Sequence, residues 1–191
     1  MTIEEIYSEL AAHMVKGLMI HSQMADYYYF LGLDGYGCCH EYHFLDESRA
    51  YRRLSRYFLK HHNKLIPEIP IANPEVISAS WYTHVRSDVD SATKKNAVKN
   101  GLIKWHEWET ETKHLYERMF KELMDIGEVA SAMKLKEFIC DVDKELEKVT
   151  KYKLMKDATG YDLGGIVSEQ KSKKEKYKCK MKELFDEHKG H

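Results

Sequence analysis

The sequence has few residues that interrupt helices. Its only prolines, Pro67, Pro70 and Pro74, fall within eight residues of one another in a chain of 191. Proline inside a helix removes a backbone hydrogen bond and clashes with the preceding turn. The rest of the chain is therefore free to be helical. We predict an all-α protein with one long non-helical connection over residues 66–86, which either covers a site or only joins two helices.

Three further absences exclude whole classes of protein. No apolar run approaches the roughly 20 residues that a membrane-spanning helix needs, and the start MTIEEIYSEL lacks the apolar segment of a signal peptide. Thirty basic and 31 acidic residues leave a formal net charge of -1, so no overall positive field favours nucleic acid. The four cysteines show no CxxC spacing. We expect a cytoplasmic protein with reduced thiols.

What the sequence does contain is apolar residues at helical spacing, in five segments. The predicted helices run from Ile3 to about Phe30, His40 to Leu65, Ser87 or Asp88 to about Ile126, Glu128 to about Lys156, and Ser168 to about Glu187. A glycine-rich break at 32–37 separates the first two. Short, long and short connections are those of a four-helix bundle with one crossover. We expect this bundle over residues 1–163 and a lysine-rich C-terminal helix over 164–191.

One acidic residue interrupts the apolar face of the second helix. Helical spacing places it on a stripe with Phe44, Tyr51, Leu54, Phe58 and Leu65. The acid is Glu47. A bare carboxylate buried on such a face costs several kcal/mol, so we expect Glu47 to be paired, protonated or bound to a metal ion.

Four segments together resemble the ferritin-like superfamily, and the resemblance covers roughly residues 3–155. They are SQMADYYYF on the first helix with the LDGY turn, FLDESRAYRRL on the second helix, and KEFICDVDKELEKV on the fourth. The match is one of order and spacing. It implies a ferritin-like four-helix bundle with a crossover and a short fifth helix, which binds iron, stores or oxidises it, and forms homo-oligomers.

Carried over by position, the dinuclear iron motif of the family is incomplete. Glu47 matches the bridging carboxylate of the second helix, and Asp46 matches its acidic neighbour. The histidine position is Ala50, and the glutamate position of the first helix falls near Met14. Neither alanine nor methionine can act as a hard-metal ligand, so we expect the intact ferroxidase site to be absent.

Other side chains could form a rearranged metal site. His40, His43 and Glu47 share one face of the second helix, and Glu111 and His114 form an ExxH on the third helix. The expected helix-C acid falls near Lys113, with Glu109 also within a turn. The predicted metal ligands are Glu47, Glu111, His114 and Asp143 (or Glu147), with His43 as a substitute imidazole and His21 nearby. The alternative is a metal-free polar layer in which Glu47 bonds a tyrosine or histidine.

Two functions therefore stay open. One is an iron-binding protein with a modified centre, of the storage or ferroxidase type. The other is a metal-free bundle that acts as a binding or assembly module. Seven lysines between Lys171 and Lys182 offer a surface for an acidic partner, a membrane surface or nucleic acid. We favour the alternative, a solvated amphipathic helix that packs on the bundle through Tyr177, Met181, Leu184 and Phe185.

Overall fold

A computed structural model describes residues 1–67 and 89–186. It contains five helices, α1 (Ile3–Phe30), α2 (Asp34–His62), α3 (Ser91–Asp125), α4 (Val129–Ala158) and α5 (Leu163–Asp186). These two ranges contain no strand, which confirms the all-α prediction. None of their helices is long and apolar enough to cross a membrane. The predicted crossover, apart from residues 66 and 67, and the predicted start of the third helix at 87 or 88 lie outside the described residues.

The first two helices are joined by a tighter turn than the glycine pattern predicts. Gly32, with φ of +70°, adopts the left-handed conformation that ends α1, and α2 begins at Asp34. Gly35 and Gly37 are therefore inside α2 and not in the break. They are small for packing reasons, since a Cβ would lie 2.5 Å from the Gln170 carbonyl oxygen at Gly35 and 2.7 Å from the Tyr29 ring at Gly37.

The buried faces of α2 and α4 differ in part from those predicted. Leu54 and Phe58 are buried, but Phe44 is at the surface and Leu65 lies beyond the end of α2 at 78 % exposure. On α4, Val129 and Met133 are both half exposed because they lie at the turn after α3, where no other helix covers them. The predicted inward stripe is correct in the middle of each helix and wrong at the ends.

The hydrophobic core consists of two clusters. The upper cluster surrounds the α1–α2 turn and includes Tyr28, Trp105 and Trp108, and the lower cluster includes Met14 and Phe138. α1 packs on α2 and α3 packs on α4, whereas α2 and α4 are not among the closely packed helix pairs of the described residues. The space between α2 and α4, near the junction of the two clusters, is where the polar side chains collect.

The fifth helix begins five residues earlier than predicted and packs on α2. The Asp162 side chain accepts a hydrogen bond from the Gly165 amide at 2.8 Å, and Gly164 and Gly165, which lie before the predicted start at Ser168, form the first turn of α5. Ile166 and Tyr177 of α5 are buried in the upper cluster, whereas Phe185 is 56 % exposed. α5 is therefore part of the described core, although the domain boundary at 163 stays a prediction.

Candidate functional site

A cavity of about 170 Å³ lies between α2, α3 and α4. Its lining is mainly polar and carries both charges. The lining residues are His43, Asp46, Glu47, Arg49, Ala50 and Arg53 of α2, Glu109 and Tyr116 of α3, and Phe138, Asp141, Val142 and Glu145 of α4. It is a concave space with convergent ionisable groups, which is the usual form of a binding site.

Glu109 is the most deeply buried acid of this cavity, at 4 % exposure. Its Oε1 accepts a hydrogen bond of 2.9 Å from the indole nitrogen of Trp105, one turn earlier on α3. Burial raises the pKa of Glu109 to about 8, and the Trp105 bond opposes that rise. At neutral pH this carboxyl is therefore mostly protonated, and Trp105 fixes its orientation.

Glu47 faces the same cavity from α2. Burial, together with the charges of Glu109 and Asp46, raises the pKa of Glu47 to about 8. The Trp108 indole nitrogen has no hydrogen-bond partner at normal distance among the described residues, yet it lies close enough to Glu47 to oppose this rise. Two carboxyls with raised pKa values in one cavity form an acid pair, each beside an indole N–H.

A glycine on α1 makes room for this arrangement. A Cβ on Gly17 would lie 2.8 Å from Cζ2 of Trp108 and 3.2 Å from Oε1 of Glu47. The first distance is shorter than side-chain carbons tolerate, and the indole ring is rigid. Gly17 therefore lets Trp108 and the Glu47 carboxyl approach the α1 backbone together.

A lysine of α4, Lys148, lies next to the cavity and contacts two of the residues that line it. The Lys148 ammonium nitrogen lies 3.1 Å from Nε2 of His43 and 2.7 Å from Oε2 of Glu145. Burial and the positive charge of Lys148 hold the pKa of His43 well below its usual value. Because the ammonium group can only donate, the neutral His43 ring accepts through Nε2 and carries its proton on Nδ1.

Two further buried histidines extend this group of polar side chains beyond His43. His21 of α1 and His40 of α2 are both nearly inaccessible, and their Nδ1 atoms lie 3.0 Å apart. Burial lowers the pKa of His21 to about 3 and that of His40 well below its usual value. Trp105 packs edge-on against both rings. This pair is neutral at physiological pH.

The outer side of the cavity carries an arginine held by acids of α4. Arg53 forms ion pairs with Glu137 at 3.4 Å and Asp141 at 3.7 Å, and its guanidinium group lies 4.8 Å from the centre of the Phe138 ring. All these ion-pair members are about half exposed, so the pairs are weak and easily exchanged. This side of the cavity is open to charged solutes.

The structure brings only two of the five predicted ligands, Glu47 and His43, to the cavity. Glu111 is exposed and pairs with Lys16 at 2.9 Å, and Asp143 is exposed and pairs with Lys113 at 2.7 Å. His114 is exposed as well. Within residues 1–67 and 89–186, no three His, Cys, Asp or Glu side chains are arranged to hold a metal ion.

Sequence reasoning placed Glu109 within a turn of the expected acid of the third helix but did not choose it as a ligand, and it did not identify Glu145, Lys148 or Gly17. Glu109 had a usable signal, because it falls one turn after Trp105 in the buried stripe of α3 that continues through Thr112 and Tyr116. That is the same anomaly, an acid on an apolar face, that identified Glu47. Lys148 and Gly17 act through contacts between helices distant in sequence, and nothing local distinguishes them.

No family model and no curated protein matches the chain in sequence. Solved structures do match. A ferritin of Archaeoglobus fulgidus engineered into a closed form superposes with a TM-score of 0.74 at 11% identity, over 91% of this chain and 96% of that one. The fold is ferritin-like. The open-pore ferritin of the same archaeon gives 0.73 over 89% and 93% at 11% identity, and a humanized archaeal ferritin gives 0.71 over 90% and 94% at 10%.

The donors of this ferritin-like chain do not fit a dinuclear iron centre. Such a centre in a four-helix bundle uses four carboxylates and two histidines that project inward. Here Met14 is fully buried in the lower cluster, Ala50 borders the cavity, and Nε2 of His43 is occupied by Lys148. Glu47 and Glu109 are cavity carboxyls that form no ion pair with a lysine or arginine of the described residues, and the charge of Glu109 contributes to the raised pKa of Glu47. We derive no two-metal chemistry from this site.

Proposed function

We propose that this protein binds a single divalent metal ion, with ferrous iron as the cargo, between Glu47 and Glu109. The observation that carries the proposal is the pair of carboxyls in one cavity, each raised in pKa and without an ion pair to an arginine or lysine of the described residues. A hard divalent ion held by one or two carboxylates keeps several of its waters. The cavity volume of about 170 Å³ has room for an ion and such waters.

The surrounding residues have separate tasks in this proposal. Trp105 orients Glu109 through its hydrogen bond, so that the second carboxyl oxygen points to the ion. Gly17 lets Glu47 reach its position beside α1. Asp46 and Asp141 line the outer part of the cavity and attract a cation, while Arg53, paired with Asp141, must move for it to pass. Binding and release of the ion are the function, with no oxidation step assigned.

Assembly with further copies of the chain belongs to the same proposal. Support comes from exposed apolar side chains on two surfaces, Phe44 and Leu59 on α2 and Val129 and Met133 at the start of α4. Sedimentation equilibrium measures the assembly state directly. A monomer at micromolar concentration contradicts this part of the proposal and leaves metal binding untouched.

A metal-free bundle that serves as a binding or assembly module is the second candidate. The burial of Met14 without any exposure favours it, because a thioether now fills a position where the family resemblance expects a carboxylate. The exposed lysines of α5 (Lys171, Lys176, Lys178 and Lys182) are then the surface for an acidic partner.

Anaerobic equilibrium dialysis against Fe²⁺ tests the proposal. We expect one ion per chain in the unmodified protein and at least a tenfold weaker affinity in Glu47→Gln and in Glu109→Gln. Glu107→Gln is the matched control, since Glu107 is on the same helix, exposed, and paired with Lys104. Stoichiometry far below one, in protein that is folded by circular dichroism, contradicts the proposal and favours the metal-free module.

A further inference from the structure

We infer that the Lys148 ammonium group takes the place of a second metal ion in this polar layer, so that the cavity accepts one divalent ion and not two. The inference rests on the proposed metal binding and adds the residue that sets the number of ions. It concerns the side of the cavity where Lys148 of α4 contacts His43 of α2. Neither the sequence pattern nor the ferritin-like fold assigns a function to this lysine.

The contacts of Lys148 are those of a bound cation. Its ammonium nitrogen is 2.7 Å from Oε2 of Glu145 and 3.1 Å from Nε2 of His43. It also lies 5.1 Å from the centre of the Trp105 ring and 5.7 Å from that of Tyr177, within the range of cation–π attraction. A carboxylate oxygen, an imidazole nitrogen and two aromatic faces thus surround one positive charge.

Lys148 differs in this respect from Lys144 and Lys151, the lysines one turn away from it on α4. Lys144 and Lys151 also pair with acids one turn away, at 3.0 and 2.5 Å, but their side chains are 74% and 72% exposed. The Lys148 side chain is 24% exposed and bonds the ring of His43, which is itself 4% exposed. A surface ion pair needs no buried imidazole. Lys148 instead contacts His43 and Glu145, which both line the cavity.

Lys148 also occupies the donor atoms that a second ion would need. His43 and Glu145 line the same cavity as the acid pair, and Nε2 of His43 and Oε2 of Glu145 both already contact the ammonium group. A second divalent ion would have to displace Lys148 and would be repelled by its charge. The Lys148 ammonium and one divalent ion then offset three of the four negative charges that Asp46, Glu47, Glu109 and Glu145 carry when all are ionised.

The inference predicts that the charge of Lys148 controls metal stoichiometry. We would measure bound Mn²⁺ by equilibrium dialysis and its electron paramagnetic resonance spectrum, which separates isolated ions from pairs about 4 Å apart. The unmodified protein and Lys148→Arg should bind one isolated Mn²⁺ per chain. Lys148→Glu should bind two, with the spectrum of a coupled pair. Lys148→Gln should also bind two, the second at least tenfold more weakly.

Lys151→Glu is the matched control, because it makes the same charge change at an exposed position one turn further along α4. It should leave one isolated ion. Circular dichroism checks folding, and Lys148→Gln tests the inference if Lys148→Glu does not fold. One ion in every variant, or two in the unmodified protein, overturns the inference alone. No ion in any variant, or none in the unmodified protein and one in Lys148→Glu, overturns the proposed function and the inference together.

Discussion

His21 of α1 and His40 of α2 face each other in the core with their Nδ1 atoms 3.0 Å apart. A hydrogen bond between two ring nitrogens needs one protonated and one bare nitrogen, so both rings cannot be cationic in this geometry. His43 packs on the same face, its ring centre 5.3 Å from that of His21. His13, stacked on Trp108, is a fourth buried histidine, and burial lowers its pKa to about 4. All four take up protons when the chain unfolds below pH 6.5.

We therefore expect the metal-free protein to lose stability in acid. Between about pH 4.5 and 6.5 the unfolded chain binds more protons at these histidines than the folded chain does, so the free energy of unfolding rises with pH. Each proton that only the unfolded chain binds changes the free energy of unfolding by about 1.4 kcal/mol per pH unit. Urea denaturation across this range measures the slope. His40→Gln should reduce it, whereas the exposed His114→Gln should not, and equal slopes in all three proteins would refute the explanation.

The acid pair predicts the opposite trend at higher pH. The pKa values of Glu47 and Glu109 are raised to about 8, so the folded chain keeps protons that the unfolded chain loses above about pH 4.5. This contribution to stability is complete below the unfolded value and disappears as pH rises through 8. Above pH 6.5 the histidines no longer offset it. Stability should therefore peak near pH 6.5.

The variant Glu109→Gln separates the contribution of the acid pair to stability from that of the histidines. Glutamine keeps an oxygen that can accept the Trp105 hydrogen bond but cannot ionise. Denaturation of the metal-free variant between pH 6.5 and 8.5 should show about half the decline of the unmodified protein. Glu107→Gln, at an exposed position of the same helix, should show the full decline. A decline of the same size in Glu109→Gln would mean that another group titrates.

Features that follow from the regular spacing of residues along a helix are predicted well from the sequence. The five helices follow from apolar spacing and from the scarcity of proline, and the anomaly at Glu47 follows from one acid on an apolar stripe. The ligand set is harder to predict because a helical period places residues on a face without saying which other helix that face meets. Glu111 and Glu109 are two residues apart on α3, and only packing places one at the surface beside Lys16 and the other inside beside Trp105.

Gly17 is expected to be essential for the geometry of the site. Alanine in place of glycine inside a helix normally stabilises a protein by up to about 1 kcal/mol. At Gly17 the added Cβ meets Trp108 at 2.8 Å, so we expect Gly17→Ala to destabilise instead, by about 1–3 kcal/mol. Gly165→Ala in α5 is the control, because its Cβ meets only Asp162 at 3.7 Å. In thermal denaturation, the midpoint temperature should fall below that of the unmodified protein for Gly17→Ala and not for Gly165→Ala.

The docking of α5 is expected to contribute strongly to stability. Tyr177 is 2% exposed and packs in the upper cluster, whereas Phe185 on the same helix is 56% exposed. Truncating a large buried aromatic side chain costs about 3–5 kcal/mol. Tyr177→Ala should lower the free energy of unfolding by that amount and Phe185→Ala by less than about 1 kcal/mol. Equal effects in urea denaturation would show that α5 does not dock through Tyr177.

The most direct test of the account is an anomalous-difference map from a crystal of the protein soaked in Mn²⁺. The proposal predicts one peak per chain inside the cavity, in contact with carboxyl oxygens of both Glu47 and Glu109, with the Lys148 ammonium group still beside His43. A cavity without a peak at saturating Mn²⁺ would contradict metal binding. Two peaks there, with Lys148 displaced, would support metal binding and contradict the single-ion site.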